Sequence, residues 1–164
     1  MSSQDAATAG NRNDPPDPAS EAVVEVFRLN GQLLAAGDQM VAPLGLTSAR
    51  WQVLGAVALA PYPGPIAHVA RSMGLTRQNV RRIVGDLAAE GMLDLVANPH
   101  HRRAPLVVMT AAGAAAYQRA MALWSPIAAA MVDGIPREEL DATVRTLRTM
   151  RDRLERVTAT DEKR

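Results

Sequence analysis

Residues 65–91 read PIAHVARSMGLTRQNVRRIVGDLAAEG, and the spacing of apolar residues within them decides the fold. Ile66, Val69, Ala70 and Met73 fall at i, i+3, i+4 and i+7, the period of one helix face. Gly74 follows where a helix end needs a left-handed residue, a conformation glycine adopts without a Cβ penalty. Leu75 would fill the angle between two helices. Thr76 can cap the next helix by accepting from its free backbone N–H groups. That second helix would bury Val80, Ile83, Val84 and Leu87 and stop at Gly91. The spacing predicts a helix-turn-helix.

At about 100° per residue, the side opposite the apolar stripe carries Gln78, Arg81, Arg82, Gly85 and Ala89, with Arg77 and Asn79 on the flanks. The polar side chains crowd the first two turns, the end of a recognition helix that reaches base edges. Arginine grips guanine through O6 and N7, glutamine or asparagine pairs with adenine, and threonine touches the thymine methyl. The free N–H groups of the helix start also suit phosphate. An exposed basic face is commonly just solvated. What favours DNA here is the order helix-Gly-Leu-Thr-helix with a basic hairpin directly after it.

In that hairpin, residues 92–97 (MLDLVA) and 104–109 (APLVVM) read as strands around residues 98–103. Pro105 lacks an N–H for a ladder, so it belongs at the edge or start of its strand. A hairpin with arginines at its tip, next to a recognition helix, is a wing able to place arginine in a narrow minor groove. The candidate DNA-contacting residues are Thr76, Arg77, Gln78, Asn79, Arg81 and Arg82 on the helix, and His101, Arg102 and Arg103 on the wing.

With these residues in place the chain resembles the MarR (multiple antibiotic resistance regulator) family. The resemblance rests on Leu46-Thr47, Trp51-Gln52-Val53-Leu54, Val69-Ala70, Gly74-Leu75-Thr76-Arg77-Gln78, Val80, Arg82, Leu87 and Gly91. It continues through Arg102-Arg103-Ala104 and Thr110-Ala111-Ala112-Gly113, so that it runs over residues 21–154. It implies a homodimeric winged helix that represses genes and is released by a small, often aromatic, anionic ligand bound near the junction of dimer base and DNA-reading lobe. The chain departs from the family at the wing tip. Asn98 and His101 stand where acidic residues are common, which removes the carboxylate expected to hold the wing arginine.

Composition agrees with such a protein. The 164 residues are 48% hydrophobic but only 3% aromatic, which suits one domain of packed helices. Cysteine is absent, which excludes disulfides, thiolate catalysis, thiolate-bound metal and thiol-based oxidant sensing. The net charge of +1 hides an asymmetry: residues 66–103 hold six arginines against three acids, and residues 1–65 hold three against six. The positive excess therefore falls where phosphate would be met. His68, His100 and His101 are too scattered for a metal site, no cofactor is implied, and no hydrolase elbow, phosphate loop or dinucleotide fingerprint marks an enzyme. The start is polar and acidic rather than signal-like, and no apolar run approaches a membrane span, so a cytoplasmic protein is expected.

The expected architecture is mainly α with a small antiparallel β wing: about six helices, the N- and C-terminal ones forming a dimerisation base. Residues 1–16 are expected to be a disordered tail, residues 17–157 a single winged-helix domain, and residues 158–164 a frayed tail. Within the domain, residues 17–45 and 111–157 would form the base and residues 46–110 the DNA-reading lobe. Asp17 and Pro18 can start the first helix, which carries Val23, Val26, Phe27, Leu33 and Leu34 and stops before Pro43. Thr47 would cap a helix with the stripe Trp51, Leu54, Gly55 and Ala58, ended by the stiff connector of residues 61–65. Thr110 would cap a long Ala-rich helix that Pro126 kinks or restarts, and a last helix would run over residues 136–157. Phe27, Trp51, Tyr117, Met121 and Trp124 are the candidates for a small aromatic effector's pocket, though aromatics at helical spacing are more often core. The expected partners are double-stranded DNA and a second copy of the chain. The alternative is a winged helix that serves as a protein-interaction module without reading DNA; salt-dependent retention on DNA separates the two.

Overall fold

The computed structural model describes residues 17–161, and side chains as far as residue 158. Among the described residues the order is α1 (Pro18–Val41), a 3-10 turn (Ala42–Leu44), α2 (Ser48–Ala58), β1 (Gly64–Pro65), α3 (Ile66–Met73), α4 (Arg77–Ala89), β2 (Leu93–Val96), β3 (Leu106–Met109), α5 (Ala111–Met131) and α6 (Arg137–Asp161). Six helices and a three-stranded antiparallel sheet make a winged helix. The expectations for residues 1–16 and 162–164 lie outside the described residues.

Side-chain caps start four of these helices where the sequence places them. The carboxylate of Asp17 accepts from Ser20 N at 3.2 Å, Thr47 Oγ1 from Arg50 N at 3.3 Å, Thr76 Oγ1 from Asn79 N at 3.3 Å and Thr110 Oγ1 from Gly113 N at 3.0 Å. Each satisfies a donor that the helix itself cannot, worth about 1 kcal/mol.

The chain forms two compact units, the first ending at Leu123 and the second beginning at Trp124. The first holds the core. α2 packs against α1, α3, α4 and β3, and α4 packs against α3 and β2. Val80, Ile83, Val84 and Leu87 of α4 are all buried, as expected, alongside Val53, Leu54, Val69, Ala70, Leu93, Val107, Ala116 and Ala120. Each large aliphatic side chain taken out of water contributes about 1.5–3 kcal/mol, so four on one stripe fix the rotation of α4 about its axis. Two glycines permit close approaches. A Cβ on Gly37 would lie 2.7 Å from Ser48 Oγ, and one on Gly113 would lie 2.0 Å from the carbonyl oxygen of Met92. The second unit consists of the end of α5, a turn with Gly134 at φ +77, and α6; none of its described residues is buried.

Several expectations are corrected. The connector of residues 61–65 is not merely stiff: Gly64 pairs with Val107 and Pro65 with Leu106, adding a third strand so that β3 is central in the order β1-β3-β2. A two-residue edge strand that includes a proline carries no sequence pattern, because it exists only once β3 lies beside it. The buried face of α2 is Ser48, Val53 and Leu54; Trp51 and Gly55 are half-buried and Ala58 is exposed, because neighbours surround α2 on several sides. Leu75, expected to fill the interhelical angle, is 37% exposed, and its N–H donates to Ala70 O at 3.0 Å and closes α3. α5 runs unbroken through Pro126 instead of restarting. The missing N–H orphans one carbonyl, that of Ala122, and both residues are exposed, so water can take its place. The helix expected to end at residue 157 continues to Asp161.

Candidate nucleic-acid interface

The turn between α3 and α4 is set by Gly74, at φ +64, whose N–H donates to Arg71 O at 3.2 Å. With the opposite stripe wholly buried, α4 presents Arg77, Gln78, Asn79, Arg81, Arg82 and Gly85 outward, all exposed. Arg82 lies 3.6 Å from Asp86 in an exposed i, i+4 pair, which contributes little to stability. The Thr76 hydroxyl accepts from Asn79 N in the helix cap, which leaves its O–H proton and its methyl for outward contacts.

The far end of α4 is tied down from α2. Arg50 pairs with Glu90 just past the helix, and its other terminal nitrogen donates to Gly45 O at 3.2 Å. Its Nε is buried without a partner. Sequence reasoning missed this tie, because Arg50 and Glu90 are forty residues apart and neither sits in a motif.

Downstream, β2 and β3 pair from Leu93↔Met109 to Val96↔Leu106, and the loop between them carries the wing residues. Asn98 organises that loop. Its Nδ2 donates to Ala104 O at 2.8 Å, and its Oδ1 accepts from His100 N at 3.0 Å. The backbone adds His101 N to Asn98 O at 3.2 Å and Ala104 N to His101 O at 2.9 Å. Asn98, one of the two residues that stand where acidic residues are common in the family, therefore has a structural task of its own. Its signal was the Asn98-Pro99 dipeptide, a turn former.

Helix and wing enclose a cleft of about 630 Å³, lined by Arg77, Gln78 and Arg81 of α4, by residues 65–67, and by Arg103, Ala104 and Pro105 of the wing's return arm. Three arginines, two from α4 and one from the wing, thus share one opening. His101 and Arg102 are exposed but do not line it.

The candidate effector residues divide. Trp51, Tyr117 and Met121 line one open cavity of about 270 Å³, together with Gly55, Leu59 and Met73. Gly55 makes room for Tyr117, whose Cε2 would be 3.3 Å from a Cβ there. Phe27 does not line it and is 70% exposed on α1, while Trp124 begins the second unit. Another cavity of about 320 Å³ lies beside the connector of residues 61–65 and is lined by His68, on which Tyr62 stacks at 6.0 Å between ring centres. Among the described residues no cluster of three or more His, Asp or Glu could hold a metal ion, and no helix is long and apolar enough to cross a membrane.

Comparison with known proteins agrees with this geometry. A family model described as the MarR family matches residues 44–104, the segment from the start of the lobe to the wing. An uncharacterized protein of Mycobacterium tuberculosis is 36% identical over 134 residues, which cover 82% of this chain and 92% of the relative. The transcriptional activatory protein BadR of Rhodopseudomonas palustris is 28% identical over 97 residues, 58% of this chain and 55% of BadR. Among solved structures, CouR of Rhodococcus jostii bound to p-coumaroyl-CoA superimposes with a TM-score of 0.73 at 22% identity, covering 83% of this chain and 95% of CouR. With this fold, this helix-turn-helix and these matches, the chain belongs to the MarR family of winged-helix, DNA-binding transcriptional regulators, which are not enzymes.

Proposed function

We propose that the protein is a homodimeric cytoplasmic repressor that reads an inverted-repeat operator and releases it when a small aromatic ligand binds. The observation that carries this reading is the shared opening between Arg77, Gln78 and Arg81 on α4 and Arg103 on the wing, on the face of α4 opposite its buried stripe. In this reading Gln78, Arg81 and Arg82 contact base edges, Thr76, Arg77 and Asn79 hold the helix start against DNA, and His101, Arg102 and Arg103 follow the backbone and minor groove beside it. A second copy is supported by apolar side chains left in water on α1 (Val23, Phe27, Leu34), on α5 (Leu123, Ile127) and on α6 (Val144, Leu147, Leu154). Two recognition helices related by a two-fold axis would read half-sites roughly 34–36 Å apart.

The ligand is placed in the cavity of Trp51, Tyr117 and Met121, whose apolar walls and phenol suit a planar ring. CouR, whose structure holds an aromatic acyl thioester, supports that chemistry. Such a ligand acts through its differential affinity for the DNA-bound and free states.

The test uses the full chain and a duplex that it selects from a random pool. Fluorescence anisotropy should show tight, salt-dependent binding to that duplex, weaker binding to a scrambled one, and release by p-coumarate or benzoate. Binding without sequence preference at every salt concentration would overturn operator reading. The direction of regulation is read from a reporter: deleting the protein should raise expression from a promoter carrying the selected site, and a fall would make it an activator, as BadR's name describes for that protein.

A further inference from the structure

Most glycines of the described chain have a visible task. Gly45, Gly74, Gly91 and Gly134 take φ of +70, +64, +71 and +77, a region that side chains rarely adopt. Gly37, Gly64 and Gly113 stand where a Cβ would come within 2.7, 2.6 and 2.0 Å of a neighbour, and Gly55 admits the ring of Tyr117. Gly85 has no such task. It lies in the interior of α4, its φ is not positive, it is exposed, and a Cβ there would meet nothing within 4 Å.

Glycine in a helix interior is less favourable than any residue except proline, so α4 is weakened with no return inside the molecule. The reason must lie outside it. Gly85 is three residues after Arg82, four after Arg81 and seven after Gln78, on the same outward face. Glycine is also the residue that lets a backbone come close to a ligand. Gly31, the other described glycine with a negative φ and open space around it, lies near the exposed apolar residues Phe27 and Leu34 of α1, again a surface assigned above to a partner.

We propose that Gly85 is a positioning residue at which the backbone of α4 makes van der Waals contact with duplex DNA, so that any side chain there would hold the recognition helix away from the groove. This rests on the DNA-reading face proposed above. Arg81 and Arg82 would then reach along the groove from a helix seated against its wall, while the Arg82 pairing with Asp86 draws that carboxylate toward a cation one turn back.

The experiment compares Gly85→Ala, Gly85→Leu and Arg81→Ala in the full chain, with the selected duplex, a scrambled duplex of equal length, and thermal melting without DNA. Gly85→Ala should raise Tm by about 2–4 °C, because alanine favours the helix and fits the open space. It should weaken binding roughly 10-fold, and Gly85→Leu should weaken it further, because an inserted side chain cannot be accommodated in a close contact. A loss on both duplexes assigns the contact to the sugar–phosphate wall; a loss confined to the selected one assigns it to base edges. Wild-type affinity in both Gly85 variants, with Arg81→Ala weakened, overturns the inference and leaves the reading face standing. Unchanged binding in all three overturns both. A lower Tm for Gly85→Ala reveals an internal reason for the glycine and also overturns the inference.

Discussion

Gln78, Arg81 and Arg82 stand on the face of α4 that the core leaves bare, so their loss should separate reading from folding. Truncated singly to alanine, each should keep stability within about 0.5 kcal/mol of wild type. If one grips a base, its loss should cost about 1–3 kcal/mol on the selected duplex and relax preference at one position. Arg103 should behave differently. It lines the cleft from the wing side and makes no ion pair among the described residues, so Arg103→Ala should weaken selected and scrambled duplexes alike. If it neutralises one phosphate, the slope of log K against log salt should flatten by about one unit. Anisotropy titrations of these variants on both duplexes across a salt series check this, and a loss for Arg103→Ala confined to the selected duplex would contradict it. Asn98 is the wing's organiser rather than a contact. Asn98→Ala removes its bonds of 2.8 and 3.0 Å, and should speed amide exchange at His100 with little change in the melting of the lobe.

The elements explain why α4 can be presented so firmly. Its start is capped by Thr76, its stripe is buried, and its end is tied to α2 through Arg50 and Glu90. Arg50 is largely covered while Glu90 is about half exposed, so solvent screening limits the pair itself. Arg50→Ala should cost about 1–2 kcal/mol in urea unfolding, mostly through the orphaned carbonyl of Gly45 and lost packing of the stem. The junction of wing and α5 is less forgiving. Thr110 Oγ1 donates to Gly91 O at 2.7 Å while capping Gly113 N, and Gly113 lies against the Met92 carbonyl. A methyl at Gly113 meets backbone that cannot turn aside, so Gly113→Ala should cost about 3 kcal/mol or more. Near-wild-type urea stability would show that α5 can shift freely there.

For the whole molecule, the distribution of burial makes the strongest demand. The first unit contains every buried side chain among the described residues, whereas the second contains none and leaves Leu154 and Val157 64% and 65% exposed. In the proposed dimer a second copy would supply the surface that repays the ordering of this helix pair. The double variant Phe27→Asp and Leu154→Asp should therefore sediment as a monomer at micromolar concentration, while the core of the first unit keeps its cooperative melt. A dimer that survives both charges would place the interface elsewhere.

The local order of the chain already held most of this. Periodicity at i, i+3, i+4 marked α3 and α4, and the caps Asp17, Thr47, Thr76 and Thr110 stand where short polar side chains precede apolar runs. These are nearest-neighbour effects, fixed by residues within one or two turns, and so a sequence can be read for them. Four things depended instead on residues far apart in the chain being brought together: the edge strand at Gly64–Pro65, the Arg50–Glu90 tie, the shifted buried face of α2, and the meeting of Arg77, Gln78 and Arg81 with Arg103. The separation of Phe27 from the cavity of Trp51 and Tyr117 belongs with them, since an aromatic at helical spacing looks the same whether it faces core, cavity or solvent. Helices and their polar faces were determined by the sequence itself, through short-range capping and period. Which of those faces meet was decided only by tertiary packing, because burial is a property of the neighbours a residue acquires.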